Sequence, residues 1–285
     1  MVPLTTSLRT LEDVCLIATG LDHPECVNFG PDGRGYAGGE AGQVFRLASD
    51  GTTECFGSTG GGIGGLCVDG NHNVYECNYG LPYVHRVSPD GLVSIYSKGT
   101  PDRPAVLPNY PVFDSRGNLY YSDSGHLDTP DGCLFVVRPD GSTEHLFGDN
   151  LHFPNGLAID PEERYLYVIQ STASNILRFS LRDGYLDKPE IFATLAGTVP
   201  DGLAFAASGN LYVACYVPDL ILRITPGRHI ERVVEDHAAD RLNRPTNVAF
   251  EPGTTRLWFA NLGGFSVNAV DVGESGMPLR YPVLV

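Results

Sequence analysis

The chain has 285 residues, 42% of them apolar and 19% charged, with a formal net charge of −15. Holding a phosphate backbone takes clustered Lys and Arg, so this balance excludes a nucleic-acid partner, while an acidic surface concentrates cations. The 34 glycines and 21 prolines are spread evenly, which predicts many short strands joined by many turns.

The N-terminal residues carry neither a basic-then-apolar leader pattern nor a span long enough for a membrane, so a soluble cytoplasmic protein without membrane partners is expected. Residues Val14 to Ala18 form the first strand-like run. From Pro24 onward one pattern recurs six times at roughly 40 to 50 residues, the interval of a propeller blade. Each copy is an apolar strand, a turn, and a second strand centred on an aromatic residue. The copies begin at Glu25, Gly64, Asn109, Asn155, Asp201 and Thr246, and their aromatics are Tyr36, Tyr75, Tyr120, Tyr167, Tyr212 and Trp258. A third strand and a turn such as Pro89-Asp90-Gly91 or Pro139-Asp140-Gly141 then lead to a fourth. The pattern predicts an all-β fold: one six-bladed β-propeller domain over residues 1–285, with four antiparallel strands per blade. The ring is expected to close by pairing Val14 to Ala18 with the last blade.

In a propeller the innermost strand of each blade lines the axis, so one repeat position faces the central channel six times. That position reads Glu25, Gly64, Asn109, Asn155, Asp201, Thr246. The distance to the next aromatic is 11, 11, 11, 12, 11 and 12 residues, which holds the register. Glu25, Asn109, Asn155 and Asp201 end in hard oxygen donors, with no sulfur or imidazole among them. Such a set suits one divalent metal ion, Ca2+ before Zn2+, Mn2+ or Mg2+, because two carboxylates neutralise the charge and the amides add ligands. Asn-Gly and Asp-Gly also serve as plain strand-start turns, but that explains neither Glu25 nor Asn109. A second position, three residues past the aromatic, reads Gly39, Asn78, Asp123, Gln170, Cys215, Asn261 and is also expected to face the channel. Asp123 is its only carboxylate and the candidate general base, although a loop-opening Asp is the plainer alternative.

Other signals point away from rival chemistries. Gly60-Gly61-Gly62-Ile63-Gly64-Gly65 matches a dinucleotide fingerprint but precedes a strand, so it reads as a close approach of backbone to the channel. No G-x-S-x-G elbow and no H-x-x-x-H pair occurs, which leaves serine-triad and zincin mechanisms unsupported. The seven cysteines form no C-x-x-C pair and mostly sit in apolar runs, as buried free thiols of a reducing compartment do.

The segments Phe153-Pro154-Asn155-Gly156-Leu157-Ala158, Pro200-Asp201-Gly202-Leu203-Ala204 and Val112-Phe113-Asp114 through Tyr121-Ser122-Asp123 resemble the SMP-30/gluconolactonase-like family. That family of six-bladed propellers includes bacterial lactonases, with paraoxonases and diisopropylfluorophosphatase more distant. The resemblance implies a metal-dependent hydrolase of a lactone. It implies Glu25, Asn155 and Asp201 as metal ligands, Asn109 as a ligand to metal or substrate, and Asp123 in proton transfer beside the catalytic Asp201. Two departures flank the implied metal: Cys26-Val27-Asn28 follows Glu25, and Tyr110 follows Asn109. Both bear on the substrate, a small molecule. Phosphotriester hydrolysis, a lyase or cyclase step, and a non-catalytic ligand-binding propeller remain the alternatives, and a monomer or small homo-oligomer is expected.

Overall fold

Alternating apolar residues and glycine-rich turns make each repeat an antiparallel sheet whose two faces pack against the neighbouring repeats. The structure, a computed structural model, describes residues 7–284. Six sheets follow one another around an axis. Blade 1 comprises Cys26–Phe29, Gly35–Gly38, Gln43–Leu47 and Thr53–Ser58, and blade 2 Ile63–Val68, Val74–Asn78, Tyr83–Val87 and Val93–Ser97. Blade 3 comprises Pro108–Phe113, Leu119–Asp123, Gly132–Val137 and Thr143–Leu151. Blade 4 comprises Pro154–Ile159, Tyr165–Gln170, Asn175–Arg182 and Glu190–Thr194, with the short strand Tyr185–Leu186 attached. Blade 5 runs Val199–Phe205, Leu211–Val217, Leu220–Ile224 and Ile230–Glu235, and blade 6 Pro245–Phe250, Arg256–Asn261 and Ser266–Asp271. The N-terminal strand Val14–Thr19 supplies the fourth strand of blade 6, pairing Val14 with Val270 and Ala18 with Val267, as the sequence predicts. Among the described residues the only helices are 3₁₀ turns at Leu11–Asp13 and Leu262–Gly264. None is long and apolar enough to cross a membrane.

The core is divided among the spaces between blades. One cluster joins Tyr167, Ile169 and Leu195 of blade 4 to Leu203, Val213 and Leu222 of blade 5, and five similar clusters fill the other gaps. Closure between blades 6 and 1 is sealed by Trp258 against Phe29, edge to face at 4.9 Å between ring centres, a favoured aromatic geometry. The recurring aromatic also has a polar task. The hydroxyls of Tyr75 and Tyr120 donate to the buried Asp69 and Asp114 of their own blades' turns, each at 3.1 Å. Blade 5 has Ala206-Ala207-Ser208 in that turn, and Glu274 arrives from the C-terminal segment to accept from Tyr212 at 2.6 Å.

That segment then crosses the end of the propeller where the innermost strands finish. Met277 N donates to Phe205 O at 3.0 Å, and Arg280 donates to Asp160 O at 2.8 Å. Tyr281 donates to Phe29 O and Gly30 O at 3.2 and 3.1 Å. Gly70 N reaches Pro282 O at 2.8 Å. The strap closes an apolar cavity of about 80 Å³ lined by Val112, Ala158, Ala204, Ala249, Met277 and Tyr281. The strap thus covers the end of the channel where the innermost strands finish, opposite the end where they begin.

Candidate metal centre at the channel mouth

Five of the six innermost strands lose register where the channel-facing residue was expected. The shifts fall between Ile63 and Gly65, Pro108 and Pro111, Pro154 and Leu157, Pro200 and Leu203, and Pro245 and Val248. A bulge unpairs its extra residue from the ladder and re-aims the side chain. Asn109, Asn155, Asp201 and Thr246 all lie within such shifts, so each is freed to turn inward. Glu25 stands just before blade 1 begins, and its backbone oxygen accepts from Thr246 Oγ1 at 2.6 Å and Asn247 Nδ2 at 2.9 Å. Thr246 thus braces a neighbour and offers the channel no free oxygen.

The structure brings Glu25, Asn155 and Asp201 together. Asn155 acts on the Asp201 carboxyl, and Asp201 in turn bears on Glu25. Burial pushes Asp201 up to about 7, with Asn155 pulling the other way. Burial, and then the charge of Asp201, push Glu25 well above the carboxylate range. Two enclosed carboxyls, both lifted by burial and one also by the charge of the other, are short of positive charge. Asn155 Nδ2 is engaged with Ser171 Oγ at 3.2 Å, which leaves its oxygen for the channel. Among the described residues Asn109 Oδ1, Asn155 Oδ1 and Asp201 Oδ1 are all buried without a hydrogen-bond partner. A buried oxygen left unpaired costs about 1–3 kcal/mol. Two amide oxygens and one carboxylate oxygen at one repeat position, with the Glu25 carboxyl as a second acid, fit a hard divalent cation. Asn109 joins the group by its position and its orphaned oxygen.

Sequence reasoning missed Asn247. Its Oδ1 is a fourth buried, unpartnered oxygen, and Gly202 is needed beside it, since a Cβ there would stand 2.3 Å away. The signal was present, because Asn247 directly follows the repeat position. Ser122 and Ser171 were also missed. Their hydroxyls donate to Asn155 O and Pro200 O, each at 2.7 Å, and so brace the backbone that carries two expected ligands.

The second repeat position behaves differently from expectation. Its side chains clamp the loop that enters the innermost strand, three residues before the channel-facing one. Asn78 donates to Gly61 O at 3.1 Å, Gln170 accepts from His152 N at 2.9 Å, and Asn261 accepts from Asn243 N at 2.6 Å. Asp123 does the same in blade 3, accepting from Val106 N at 2.6 Å and from Leu107 N and Gly125 N at 3.0 Å. Its side chain is fully buried. Burial raises its carboxyl, against the pull of those three amides. A general base needs an oxygen free to meet its proton, and the oxygens of Asp123 are spent on the loop. The geometry corrects the expectation: Asp123 is a loop clamp. Asp123→Asn is expected to cost about 1–3 kcal/mol of stability by turning an NH2 toward a backbone N–H. Activity should fall less than about 10-fold with an unchanged pH profile. A loss of 10²–10⁴, the range for a proton-transfer group, together with a vanished limb of the profile, would restore the catalytic role.

Two further clusters lie outside the ring. At the mouth, His23 Nδ1 stands 3.2 Å from Asp22 Oδ1 and 2.9 Å from Glu40 Oε2. In blade 3, Cys133, His145 and Asp149 approach one another. There Arg103 already holds Asp149 at 2.7 Å, and burial pushes the Cys133 thiol far up, so that group is poorly suited to a metal.

The family model described as SMP-30/Gluconolactonase/LRE-like region matches residues 92–261. The chain belongs to this family. Lactonase drp35 of Staphylococcus aureus strain MRSA252 is 30% identical over 154 residues, covering 51% of this chain and 48% of the relative. The Staphylococcus epidermidis lactonase drp35 is likewise 30% identical over 154 residues, with 51% and 47% covered. The chain thus spans about half the length of the curated relatives it matches. Among solved folds, a gluconolactonase of Xanthomonas campestris superposes with a TM-score of 0.79 at 20% identity, over 90% of this chain and 89% of that one. Regucalcin of Agrobacterium tumefaciens, described as a calcium-binding protein, gives 0.76 at 17% identity over 99% and 100%. These likenesses establish the propeller fold that SMP-30/gluconolactonase-like proteins share.

Proposed function

We propose that the protein is a divalent-cation-dependent hydrolase of a lactone, with Glu25, Asn109, Asn155 and Asp201 holding the cation at the channel mouth. One observation carries this reading: the three unpartnered oxygens of Asn109, Asn155 and Asp201, with Glu25 a second buried carboxyl that the charge of Asp201 raises further. The lactonase relatives and the calcium-binding neighbour support the substrate class and make calcium the first cation to test. A bound cation supplies Lewis acidity toward the ester carbonyl and charge for the developing oxyanion.

The remaining work falls to the chain. Ser122 and Ser171 fix Asn155 through its backbone oxygen and its amide nitrogen, which keeps its side-chain oxygen available to the cation. With Asp123 committed to its loop, Asp201 is the carboxylate available to take the proton from water as the C–O bond forms. Ring opening breaks the acyl C–O bond as Asp201 returns that proton to the departing alcohol oxygen, and the new acid gives its own proton to solvent to leave as carboxylate. The strap covers the far end, opposite the ring.

The fold alone does not select hydrolysis, since a streptogramin B lyase shares it with a TM-score of 0.66 at 15% identity. The test is chelation followed by calcium addition, with lactones and phosphotriesters assayed in ¹⁸O-labelled water. Lactone opening that needs the cation and places ¹⁸O in the acid is expected. Activity untouched by chelation would refute the reading, and products lacking ¹⁸O would replace hydrolysis with elimination.

A further inference from the structure

The residue two before each channel-facing position stands at the entrance, at most about 7 Å of chain from the oxygen ring. The carbonyls of Gly62, Leu107, Phe153 and Arg244 accept from the N–H groups of Tyr79, Ser124, Ser171 and Leu262, each one past its clamp, at 2.9, 2.8, 3.1 and 3.2 Å. Four blades therefore hold this position alike, and in blade 5 it is Val199, paired with Val217. In blade 2 the position is glycine and Tyr79 lies over it, since a Cβ on Gly62 would meet its Cζ at 2.1 Å. Blades 2 to 5 thus line the entrance with Tyr79, Leu107, Phe153 and Val199, all half-buried. Leu127 and Val217, 62% and 49% exposed, continue this apolar arc outward from blades 3 and 5. Across the entrance, blades 6 and 1 present polar groups that are already engaged. Arg244 Nη1 donates to the Tyr216 hydroxyl at 2.8 Å, and Asp22 accepts from Gln43 Nε2 at 3.0 Å. Phe153 has φ 52°, as His23 and Arg244 have 43° and 56°, a left-handed conformation that bulky residues rarely take. Such strain persists where the surroundings fix it and gathers at ligand clamps. Gln170 and Ser171 fix it here, on His152 N at 2.9 Å and on Phe153 O.

We propose that the substrate is a lactone carrying an apolar substituent, an alkyl chain or an aryl ring, which lies along the arc of Tyr79, Leu107, Phe153 and Val199 while the lactone carbonyl faces the ring of oxygens. This names the substrate class of the hydrolase reading and rests on that reading. Covering an apolar arc is favourable roughly in proportion to the area removed from water. The side chains of Leu107, Phe153 and Val199 offer hydroxyl groups no partner, so a polyhydroxylated sugar lactone would leave its own hydroxyls unpaired against them, which costs affinity.

The test is a series of γ-lactones bearing no substituent, a propyl chain or a hexyl chain, with a sugar lactone beside them, assayed on calcium-loaded wild type, Phe153→Ala and Leu107→Ala. Calorimetry follows binding of the matching lactams, which resist hydrolysis and so read recognition apart from chemistry. In the wild type, kcat/KM and lactam affinity are expected to rise about 2–4-fold for each methylene, and the sugar lactone to fall at least about 10-fold below the hexyl compound. Each variant should keep a thermal midpoint near that of the wild type, because both side chains are half-exposed. Each should lower the ratio of hexyl to unsubstituted kcat/KM by about 10-fold, with a matching loss for the hexyl lactam. Lactones opened at rates that ignore chain length, or a ratio untouched in both variants, would overturn the proposal and leave the hydrolase reading standing. A protein that binds calcium but opens none of the lactones would overturn both.

Discussion

Asp201→Asn is expected to abolish cation binding and lower activity by more than about 100-fold, the upper range for a merely supporting residue, while making the cation-free protein more stable at pH 8. The two effects share one cause. Burial lifts the Asp201 carboxyl from an ordinary 3.8 to about 7 and, with the charge of Asp201, lifts Glu25 well above its usual range. The unfolded chain gives up these protons near pH 4, whereas the cation-free folded chain keeps them to higher pH. Folding stability is therefore fully present below about pH 4 for these groups and is lost as pH rises through the folded values. Cation-free wild type should have a higher thermal midpoint at pH 5 than at pH 8, a fall on the order of several kcal/mol in stability. Calcium should reverse this, because a cation favours the ionised carboxylates. The asparagine variant cannot ionise at position 201 and removes the smaller of the two causes that raise Glu25, so its midpoint should fall less between the two pH values, the burial of Glu25 leaving a remainder, and should ignore calcium. Thermal unfolding with chelator or calcium at both pH values reads this. A wild type whose midpoint rises from pH 5 to pH 8 without cation would contradict the arrangement.

Ending the chain at Gly276 is expected to lower the thermal midpoint by more than about 5 °C, as roughly 2 kcal/mol does for a domain of this size. The strap half-buries Met277, Leu279, Tyr281 and Leu284 and bonds backbone of blades 1, 2, 4 and 5. Burying such side chains outright contributes about 1.5–3 kcal/mol each, and half-burial less. The ordering entropy of the strap offsets part of that. Deletion also opens the apolar end of the channel to water. Calcium affinity should stay within a few-fold of the full chain, because the oxygen ring lies at the opposite end. Unaltered unfolding on truncation would show that the strap is passive, and parallel loss of calcium binding would show that the two ends are coupled.

The propeller was legible because its cause is local and repeated. Alternation, the turn glycines and the aromatic at a near-constant spacing specify each blade, and six copies leave one way to bury both faces. The same repetition exposed Glu25, Asn109, Asn155 and Asp201, since a shared register position implies a shared direction. What the register cannot convey is which polar atoms are already spoken for. Thr246 and Asp123 occupied promising positions, but the first braces Glu25 and the second clamps residues 106 and 107. Those partners come from loops distant in sequence, and only folding brings them within 3 Å. Ser122 and Ser171 were hidden for the converse reason: small residues gain a role only through the blade beside them. The amino-acid sequence by itself determined the repeat, its closure by Val14–Thr19 and the oxygen donors offered to the axis, because those follow from residue type and spacing. Tertiary structure alone decided which oxygens stay unpaired, how far burial lifts the two carboxyls and which end of the channel the strap covers, because each depends on contacts between blades.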